Sequence, residues 1–444
     1  MATRTEIINV RLPLLDENHW FTLTVENGVW VGVDPQSQQI YSSSHQSVDG
    51  WRPNANLAVE LLDAEGKVML PGLVDSHMHL DKAFSLNRVG NESGTLQEAV
   101  RNYAAKVASF SKEEIRTRIR KAALQSISFG TTSIRTHLDF HVRMGREIAL
   151  RTLEAALEVK EEFSQYLTLQ LFPMIPPAPL TAPEIDLIEE ALRMGVDGIG
   201  GAPHLSPDPK PSINLIFRLA EKYDRLVDIH TDESDNPEKK TVAIIADVTR
   251  QFGYQGRVTV DHLCSLASMP DDEAWGLIEA MRAAELSSIT LPAANLYLQG
   301  RADHFPVRRG ITRVKEIRAA GIPIATASDN IQDPFHPFGR ADLLQIALIT
   351  AYGAHMGSAC DIRNLLGMVT EVPAQILGLT EYGITVGNPA KFVLFDAHTP
   401  EAIFSDLPER RWVYGGGHWM RIAAPPAHWE VTELTTAWND VRRS

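Results

Sequence analysis

The chain has 444 residues, more than the roughly 250 of a (β/α)8 barrel, so one large domain with a smaller one is the expected organisation. Its 44% hydrophobic and 22% charged residues are ordinary for a globular protein with a sizeable core, which excludes disordered and fibrous classes. The net charge of −14 disfavours binding to nucleic-acid polymers or anionic membranes.

Cysteine usage and hydropathy indicate where the protein works. Only Cys264 and Cys360 are present, too few for a disulfide framework or a thiolate zinc site. The N-terminus lacks a basic start followed by an apolar stretch, and no run approaches the roughly 18 apolar residues of a spanning helix. The sequence therefore predicts a cytoplasmic protein that does not associate with membranes.

From about residue 70 to 385, short apolar runs alternate with helical patterns, which is typical of successive β-α units and a parallel sheet. Helix starts are marked by the capping box Ser111-x-x-Glu114 and by Thr181. Eight strands are predicted, at 68–80, 132–140, 167–173, 196–203, 225–233, 257–262, 287–292 and 323–330. This alternation predicts an α/β fold, a (β/α)8 TIM-like barrel over residues 67–383.

The two ends of the chain have a different pattern. Residues 1–66 and the C-terminal part from 384 onward contain short β-like runs separated by turn residues. We therefore expect residues 1–66 and 384–444 to form one small composite β domain, a β-sandwich built from both termini.

Candidate metal ligands lie at the predicted carboxyl ends of the strands, where barrel enzymes carry their catalytic groups. His77 and His79 end the first strand, His230 the fifth, His262 the sixth and Asp329 the eighth. A histidine taken alone is more often a structural polar residue than a ligand. The placement of all five at strand ends favours one common site.

The spacing of His77 and His79 sends both imidazoles to the same face of the strand. With His230 and Asp329 they would form a set of three nitrogens and one carboxylate that leaves a position for water. The sequence therefore predicts one divalent metal ion. Imidazole and carboxylate ligands suit zinc and iron(II) alike.

Three residues are candidates for the chemistry. Glu233, three residues after His230, could take a proton from water and return it to a leaving group; the alternative is a solvated loop carboxylate. His262 could hydrogen-bond developing negative charge or orient the water. Asp329 could bind the metal and also accept a proton.

Long motifs carry a family resemblance across most of the barrel and into the C-terminal segment YGITVGNPAKFVLFD. Together they resemble the cytosine deaminase branch of the amidohydrolase superfamily; the other motifs are PGLVDSHMHLDKAF, SIRTHLDF, DIHTDE, VTVDHLCS, LYLQGRADHFPVRRGITRVKE and ASDNIQDPFHPFG. The resemblance implies one iron(II) or zinc ion on His77, His79, His230 and Asp329. It also implies that Glu233 shuttles protons, that His262 polarises the water, and that the protein forms a homo-oligomer.

Departures from this branch concern the substrate pocket. Met174 stands where the branch has a ring-reading glutamine, and it has no amide for in-plane hydrogen bonds. Asn330 replaces the second of two aspartates, and Phe335 replaces a tryptophan. Recognition of cytosine in the usual way is therefore not expected.

Lys82 and Asn330 are more similar to the branch that contains N-isopropylammelide isopropylaminohydrolase. Lys82 could steer an anionic or carbonyl-rich ring; the alternative is a surface lysine neutralised by Asp81. The substrate is expected to be a small molecule.

The predicted function is hydrolytic removal of an amino or alkylamino group from a nitrogen heterocycle, such as a pyrimidine, purine, pterin or triazine. A second hypothesis is hydrolysis of a cyclic amide or imide, because the same water can open a ring. A third is a catalytically silent metal-binding scaffold, which would not need Glu233 and His262 beside the four ligands.

Overall fold

The computed structural model describes residues 4–53, 57–424, 430–434 and 436–437. Segments of the predicted terminal domain at 1–3, 54–56, 425–429, 435 and 438–444 lie outside the described residues.

The N-terminal part of the chain forms a five-stranded sheet in the order β3-β2-β1-β5-β4. Its central strand pairs antiparallel with β2 and parallel with β5. The strands are β1 (Arg4–Leu12), β2 (Asp16–Glu26), β3 (Val29–Gln36), β4 (Gln46–Ser47) and β5 (Val59–Asp63). A short strand, β6 (Met69–Pro71), follows and joins a different sheet.

Eight consecutive parallel strands form the barrel. They are β7 (Leu73–Met78), β8 (Thr131–Asp139), β9 (Thr168–Ile175), β10 (Gly198–Gly201), β11 (Leu226–Thr231), β12 (Val258–His262), β13 (Ser287–Thr290) and β14 (Ile324–Thr326). A parallel bridge between Met78 and Asp329 brings the last strand back to the first. The predicted (β/α)8 architecture is confirmed, with all eight strands within a few residues of their expected positions.

Helices follow the barrel strands. They are α1 (Leu96–Lys106), α2 (Lys112–Ser128), α3 (Arg146–Glu162), α4 (Ala182–Arg193), α5 (Lys210–Tyr223), α6 (Thr241–Phe252), α7 (Asp271–Ala283), α8 (Pro292–Leu298), α9 (Val314–Ala319), α10 (Leu343–Ala354), α11 (Ala359–Gly367) and α12 (Glu371–Ile376). Ser111 accepts from the Glu114 amide at the start of α2, and Thr181 with Glu184 forms a capping box on α4. Within the described ranges, no helix has the length and apolar character needed to cross a lipid bilayer.

The C-terminal part of the chain adds β15 (Phe392–Phe395), α13 (Pro400–Asp406), β16 (Arg411–Gly415) and β17 (His418–Arg421). These strands form an antiparallel sheet in the order β17-β16-β15-β6. The predicted first strand, 68–80, is therefore two strands that part at Gly72, and its first piece belongs to the terminal sheet. We propose that β6 joins the small domain expected from 1–66 and 384–444.

The two terminal sheets share one hydrophobic core, as the predicted sandwich requires. Trp30 of the first sheet packs against Phe392 of the second, with ring centroids 5.3 Å apart. Arg411 then ties the second sheet to the barrel side, because its guanidinium donates to both carboxylate oxygens of Asp342 at 2.8 and 2.9 Å. This contact fixes the terminal domain against the helix that Asp342 caps.

Gly200 in β10 marks a position where two barrel strands approach closely. A Cβ placed there would lie 1.9 Å from the carbonyl oxygen of Asp228 in β11. We expect Gly200→Ala to destabilise the fold by about 3 kcal/mol, because the backbone must move to relieve the clash. A thermal melt should show a Tm lower by about 3 °C.

Gly276→Ala is the matched control, since a Cβ at this position on α7 meets nothing within 4 Å. Alanine has the higher helix propensity, so this variant should melt at or slightly above the parent Tm. Equal melting of the two variants would contradict the close strand packing.

Candidate active site

The structure brings the four predicted metal ligands to the carboxyl end of the barrel. Backbone hydrogen bonds hold Asp329 between the two histidines of the first strand: the Asp329 amide donates to the His77 carbonyl at 2.9 Å, and the His79 amide donates to the Asp329 carbonyl at 3.3 Å. His230 enters from β11, which is four strands away from β7 in the strand order of the barrel. Closure of the barrel thus brings together His77 and Asp329, which are about 250 positions apart in the sequence.

The side-chain atoms of this cluster lie at distances that suit a shared ion. His79 Nε2 is 3.1 Å from His230 Nε2 and 3.4 Å from Asp329 Oδ1, while His77 Nε2 is 3.6 Å from the same oxygen. Two ligands each about 2.1 Å from one zinc ion lie roughly 3 to 3.5 Å apart. The spacing therefore fits a single divalent cation.

The hydrogen-bonding and charge states of the cluster also fit a cation. His77 Nε2 and Asp329 Oδ1 are buried and have no hydrogen-bond partner among the described residues. Burial lowers the pKa of His77, His79 and His230, so their imidazoles are neutral and keep a lone pair. Burial alone would raise the pKa of Asp329, but the neighbouring histidines outweigh it and hold that pKa below its usual range.

A second layer of charged residues lies beneath the cluster. His77 Nδ1 is 3.0 Å from Asp261 Oδ2, which orients the imidazole. His137, Asp228 and Asp261 are also close enough to His77 to share a cation. This layer already contains a positive charge, the Arg135 guanidinium, whose Nη1 lies 2.7 Å from Asp228 Oδ2. The layer supports the site from below.

The sequence interpretation missed this layer, although a signal for it was present. Arg135 and His137 alternate along β8 and are both buried. Charged residues spaced by two in a strand that faces a barrel interior indicate a polar layer.

Glu233 lies beside the cluster, in the pocket that also contains His79, His230 and Asp329. Only 8% of its surface is exposed, and burial together with the nearby Asp329 carboxylate raises its pKa well above the usual value. It is therefore a buried carboxyl group that holds its proton more tightly than an exposed glutamate, and the solvated-loop alternative does not describe its surroundings.

His262, the last residue of β12, is fixed by Asn295. The Asn295 amide Nδ2 donates to His262 Nδ1 at 3.0 Å, so the proton of the neutral imidazole lies on Nε2. His262 is close enough to His77 and His230 to share a cation, but a protonated Nε2 offers no lone pair. His262 is therefore suited to donate a hydrogen bond from Nε2. On its other side, Nδ1 lies 3.6 Å from Glu233 Oε1.

The pocket above the cluster contains every residue predicted to contact substrate. Lys82, Met174, Asn330 and Phe335 line its wall. The interpretation of Lys82 as a surface lysine paired with Asp81 is wrong. Its side chain is buried and its Nζ lies 2.9 Å from Asp139 Oδ1.

His204, just after β10, is a further pocket residue that sequence reasoning missed. Its Nδ1 lies 2.9 Å from the carbonyl oxygen of His230, the geometry of an N–H donor. Its Nε2 is then a lone pair that has no hydrogen-bond partner within the described ranges. A histidine that follows a short Gly-rich strand gives little sequence signal, because this carbonyl contact is formed only in the folded barrel.

Comparison with known proteins places these features in a protein class. The amidohydrolase family matches residues 60–175 and 94–415 of the chain. The chain therefore belongs to the amidohydrolase family, and it is a hydrolase that acts on carbon–nitrogen bonds other than peptide bonds.

Particular relatives are similar over most of the chain. Pterin deaminase from Rhizobium rhizogenes is 32% identical over 78% of this chain and 79% of its own length. N-isopropylammelide isopropyl amidohydrolase from Pseudomonas sp. is 28% identical over 80% of this chain and 86% of its own. The crystal structure of 5-methylcytosine deaminase from Klebsiella pneumoniae with 5-fluorocytosine superposes with a TM-score of 0.86 at 29% identity, covering 96% of this chain and all of that one.

Proposed function

We propose that this protein is a metal-dependent hydrolytic deaminase, which removes an exocyclic amino or alkylamino group from a nitrogen heterocycle. The observation that carries the proposal is the buried carboxyl of Glu233, which shares one pocket with the cluster of His79, His230 and Asp329. Relatives named for pterin, ammelide and 5-methylcytosine support the heterocycle as the substrate class.

His77, His79, His230 and Asp329 would hold one zinc or iron(II) ion, because His77, His79 and Asp329 are close enough to share a cation, His230 Nε2 lies 3.1 Å from His79 Nε2, and the imidazoles are neutral. Such an ion, when bound, supplies Lewis-acid activation of the hydrolytic water near neutral pH.

Glu233 is the proposed proton carrier. It takes one proton from water as the oxygen forms a bond to the ring carbon, and it delivers that proton to the departing nitrogen as the carbon–nitrogen bond breaks. The second proton of the water passes from the new hydroxyl group to the ring nitrogen, which leaves a ring carbonyl. Asp329, predicted to share the proton transfer, lines the same pocket, with its Oδ1 3.4 Å from His79 Nε2. The products are a ring carbonyl and ammonia or an alkylamine.

His262 is the proposed electrophilic partner. Its Nε2–H, set by the hydrogen bond from Asn295 to Nδ1, is free to donate to the oxygen where negative charge develops. Asn295 is thus a positioning residue, because it selects the tautomer that can donate.

The pocket wall would select the ring. Phe335 and Met174 offer apolar surface, whereas Lys82 and Asn330 offer hydrogen-bond donors. Met174 cannot make the paired in-plane hydrogen bonds that a glutamine would make with cytosine. Pterins and triazines are therefore favoured over cytosine itself.

We further propose that the enzyme works in the cytoplasm as a homo-oligomer. The free thiols of Cys264 and Cys360 support the reducing cytoplasm, and the resemblance to the cytosine deaminase branch supports the oligomer.

The test is a screen of the metal-loaded protein for ammonia and amine release from pyrimidines, purines, pterins and triazines. We expect release from at least one 2-amino-4-oxo heterocycle or alkylaminotriazine, with one amine formed per ring carbonyl. Consumption of a cyclic amide or imide without release of any amine would show that the enzyme opens rings and does not deaminate them. Turnover of neither class would contradict both.

A further inference from the structure

The pocket contains a buried ion pair that the metal cluster does not use. Lys82 lies in the turn after β7, and Asp139 is the last residue of β8. Lys82 Nζ is 2.9 Å from Asp139 Oδ1, and both side chains line the pocket that holds Glu233. The pair therefore faces the same space as the proposed catalytic groups.

This pair has hydrogen-bonding capacity left over. An ammonium group has three donors, and Asp139 is the carboxylate within ion-pair distance of Lys82 among the described residues. Asp139 accepts from Lys82, and its other oxygen lies 3.6 Å from His141 Nε2. A carboxylate can accept about four hydrogen bonds. One donor and one acceptor, side by side, are thus available to a ligand.

The aromatic side chains around the Lys82–Asp139 pair would orient a flat ring so that the edge of the ring faces the pair. Lys82 Nζ lies 4.8 Å from the ring centroid of Phe335 and 5.7 Å from that of Tyr103. Both aromatic rings line the pocket. A heterocycle packed on this apolar wall would present its in-plane atoms to the charged pair, because hydrogen bonds from ring atoms lie in the ring plane.

We propose that Lys82 and Asp139 recognise the lactam edge of the substrate, which is a ring carbonyl next to a ring N–H. Lys82 donates to the ring carbonyl, and Asp139 accepts from the adjacent ring N–H. This inference rests on the proposed deaminase function and deepens it by naming the substrate class: amino-heterocycles that carry an adjacent N–H and C=O. Rings without that edge, or with the nitrogen methylated, would leave one donor of Lys82 or one acceptor of Asp139 without a ligand partner in a buried site.

The first experiment compares matched substrates. The parent enzyme is assayed for ammonia release from 2-amino-4-oxopteridine and its N3-methyl derivative, and from 5-methylcytosine and its N1-methyl derivative. Loss of a hydrogen bond to a charged group costs about 1.5–3 kcal/mol, which corresponds to a kcat/KM lower by roughly 10- to 150-fold for the methylated ring. Equal kcat/KM values for lactam and methylated lactam would overturn the proposal.

Variants of Lys82 and Asp139 test whether this pair causes the preference for the lactam over the methylated ring. Lys82→Met and the isosteric Asp139→Asn should each reduce the preference for the lactam to within about threefold, mainly through KM. Asp139→Asn keeps the side-chain volume, so it remains informative if Lys82→Met fails to fold. Lys222→Met is the matched control, because the exposed Lys222 on α5 pairs with Glu189 of α4, away from the pocket. Retention of the parent preference in Asp139→Asn would contradict the role of the pair.

Binding separates the failure of this inference from the failure of the proposed function. Thermal shift of the metal-loaded protein needs no turnover: a lactam heterocycle should raise the Tm, and its N-methyl derivative should raise it less. Ammonia release without lactam preference would overturn the lactam inference and leave deamination intact. A lactam-selective Tm shift without any amine release would support the inference and contradict deamination.

Discussion

Glu233→Gln is expected to lower kcat by roughly 100- to 10,000-fold while the protein keeps its full metal content, since general acid–base groups contribute rate factors of that size. Glutamine has nearly the same shape as glutamate but cannot carry the proton from water to the leaving nitrogen. The expected pattern is therefore a large loss in kcat with little change in KM. Steady-state kinetics on a substrate from the amine-release screen, with metal analysis of the same samples, measures both quantities.

Glu238→Gln provides the control for this experiment. Glu238 lies five residues further along the same loop, and 80% of its side chain is exposed. It should turn over substrate at the parent rate. A metal-loaded Glu233→Gln enzyme that was as fast as the parent would show that another group carries the proton.

His230→Ala is expected to abolish tight metal binding and to lower kcat/KM at least about a thousandfold. His230 Nε2 lies 3.1 Å from His79 Nε2, so its removal opens one side of the proposed ligand set. Metal analysis after dialysis should give less than one ion per chain. Activity should return in part when excess zinc or iron(II) is added.

His19→Ala is the matched control for the loss of an imidazole. His19 is on β2, and about half of its side chain is exposed. It should retain one metal ion per chain and the parent rate. If His230→Ala bound metal as tightly as the parent protein, the ligand set drawn from His77, His79, His230 and Asp329 would be wrong.

Much of the barrel could be predicted because local signals and the global fold agree. Apolar runs such as RVTVDH have the length of buried strands, and Ser111 and Thr181 mark helix starts through caps that the structure contains. The ligand cluster was predictable for a related reason. Parallel strands in a barrel end on one face, so residues at strand ends must converge.

The first strand was predicted less well because its two pieces adjoin in one apolar run, residues 68–74. Residues 68–78 are all buried, so burial does not change at Gly72, and Pro71-Gly72 is the one local signal of the break. The change is set by long-range pairing, with β6 joining β15 and β7 joining β8. Such pairing depends on segments that are more than 50 positions away.

The partner of Lys82 could not be predicted for a similar reason. The adjacent Asp81 is the obvious candidate in the sequence, but its Oδ2 accepts from the backbone amide of Asp139 at 3.2 Å. That hydrogen bond draws the end of β8 toward the turn, where the Asp139 side chain meets Lys82. Only the fold reveals which of two nearby carboxylates the lysine faces.

Isotope labelling of the product tests the central claim most directly. Metal-loaded protein is incubated with its heterocyclic substrate in water enriched in oxygen-18, and product and released amine are quantified by mass spectrometry. Hydrolytic deamination predicts an intact ring that has gained one labelled oxygen, with one ammonia or alkylamine released per product. An opened ring that retains its exocyclic nitrogen, or an intact product without the label, would contradict the claim.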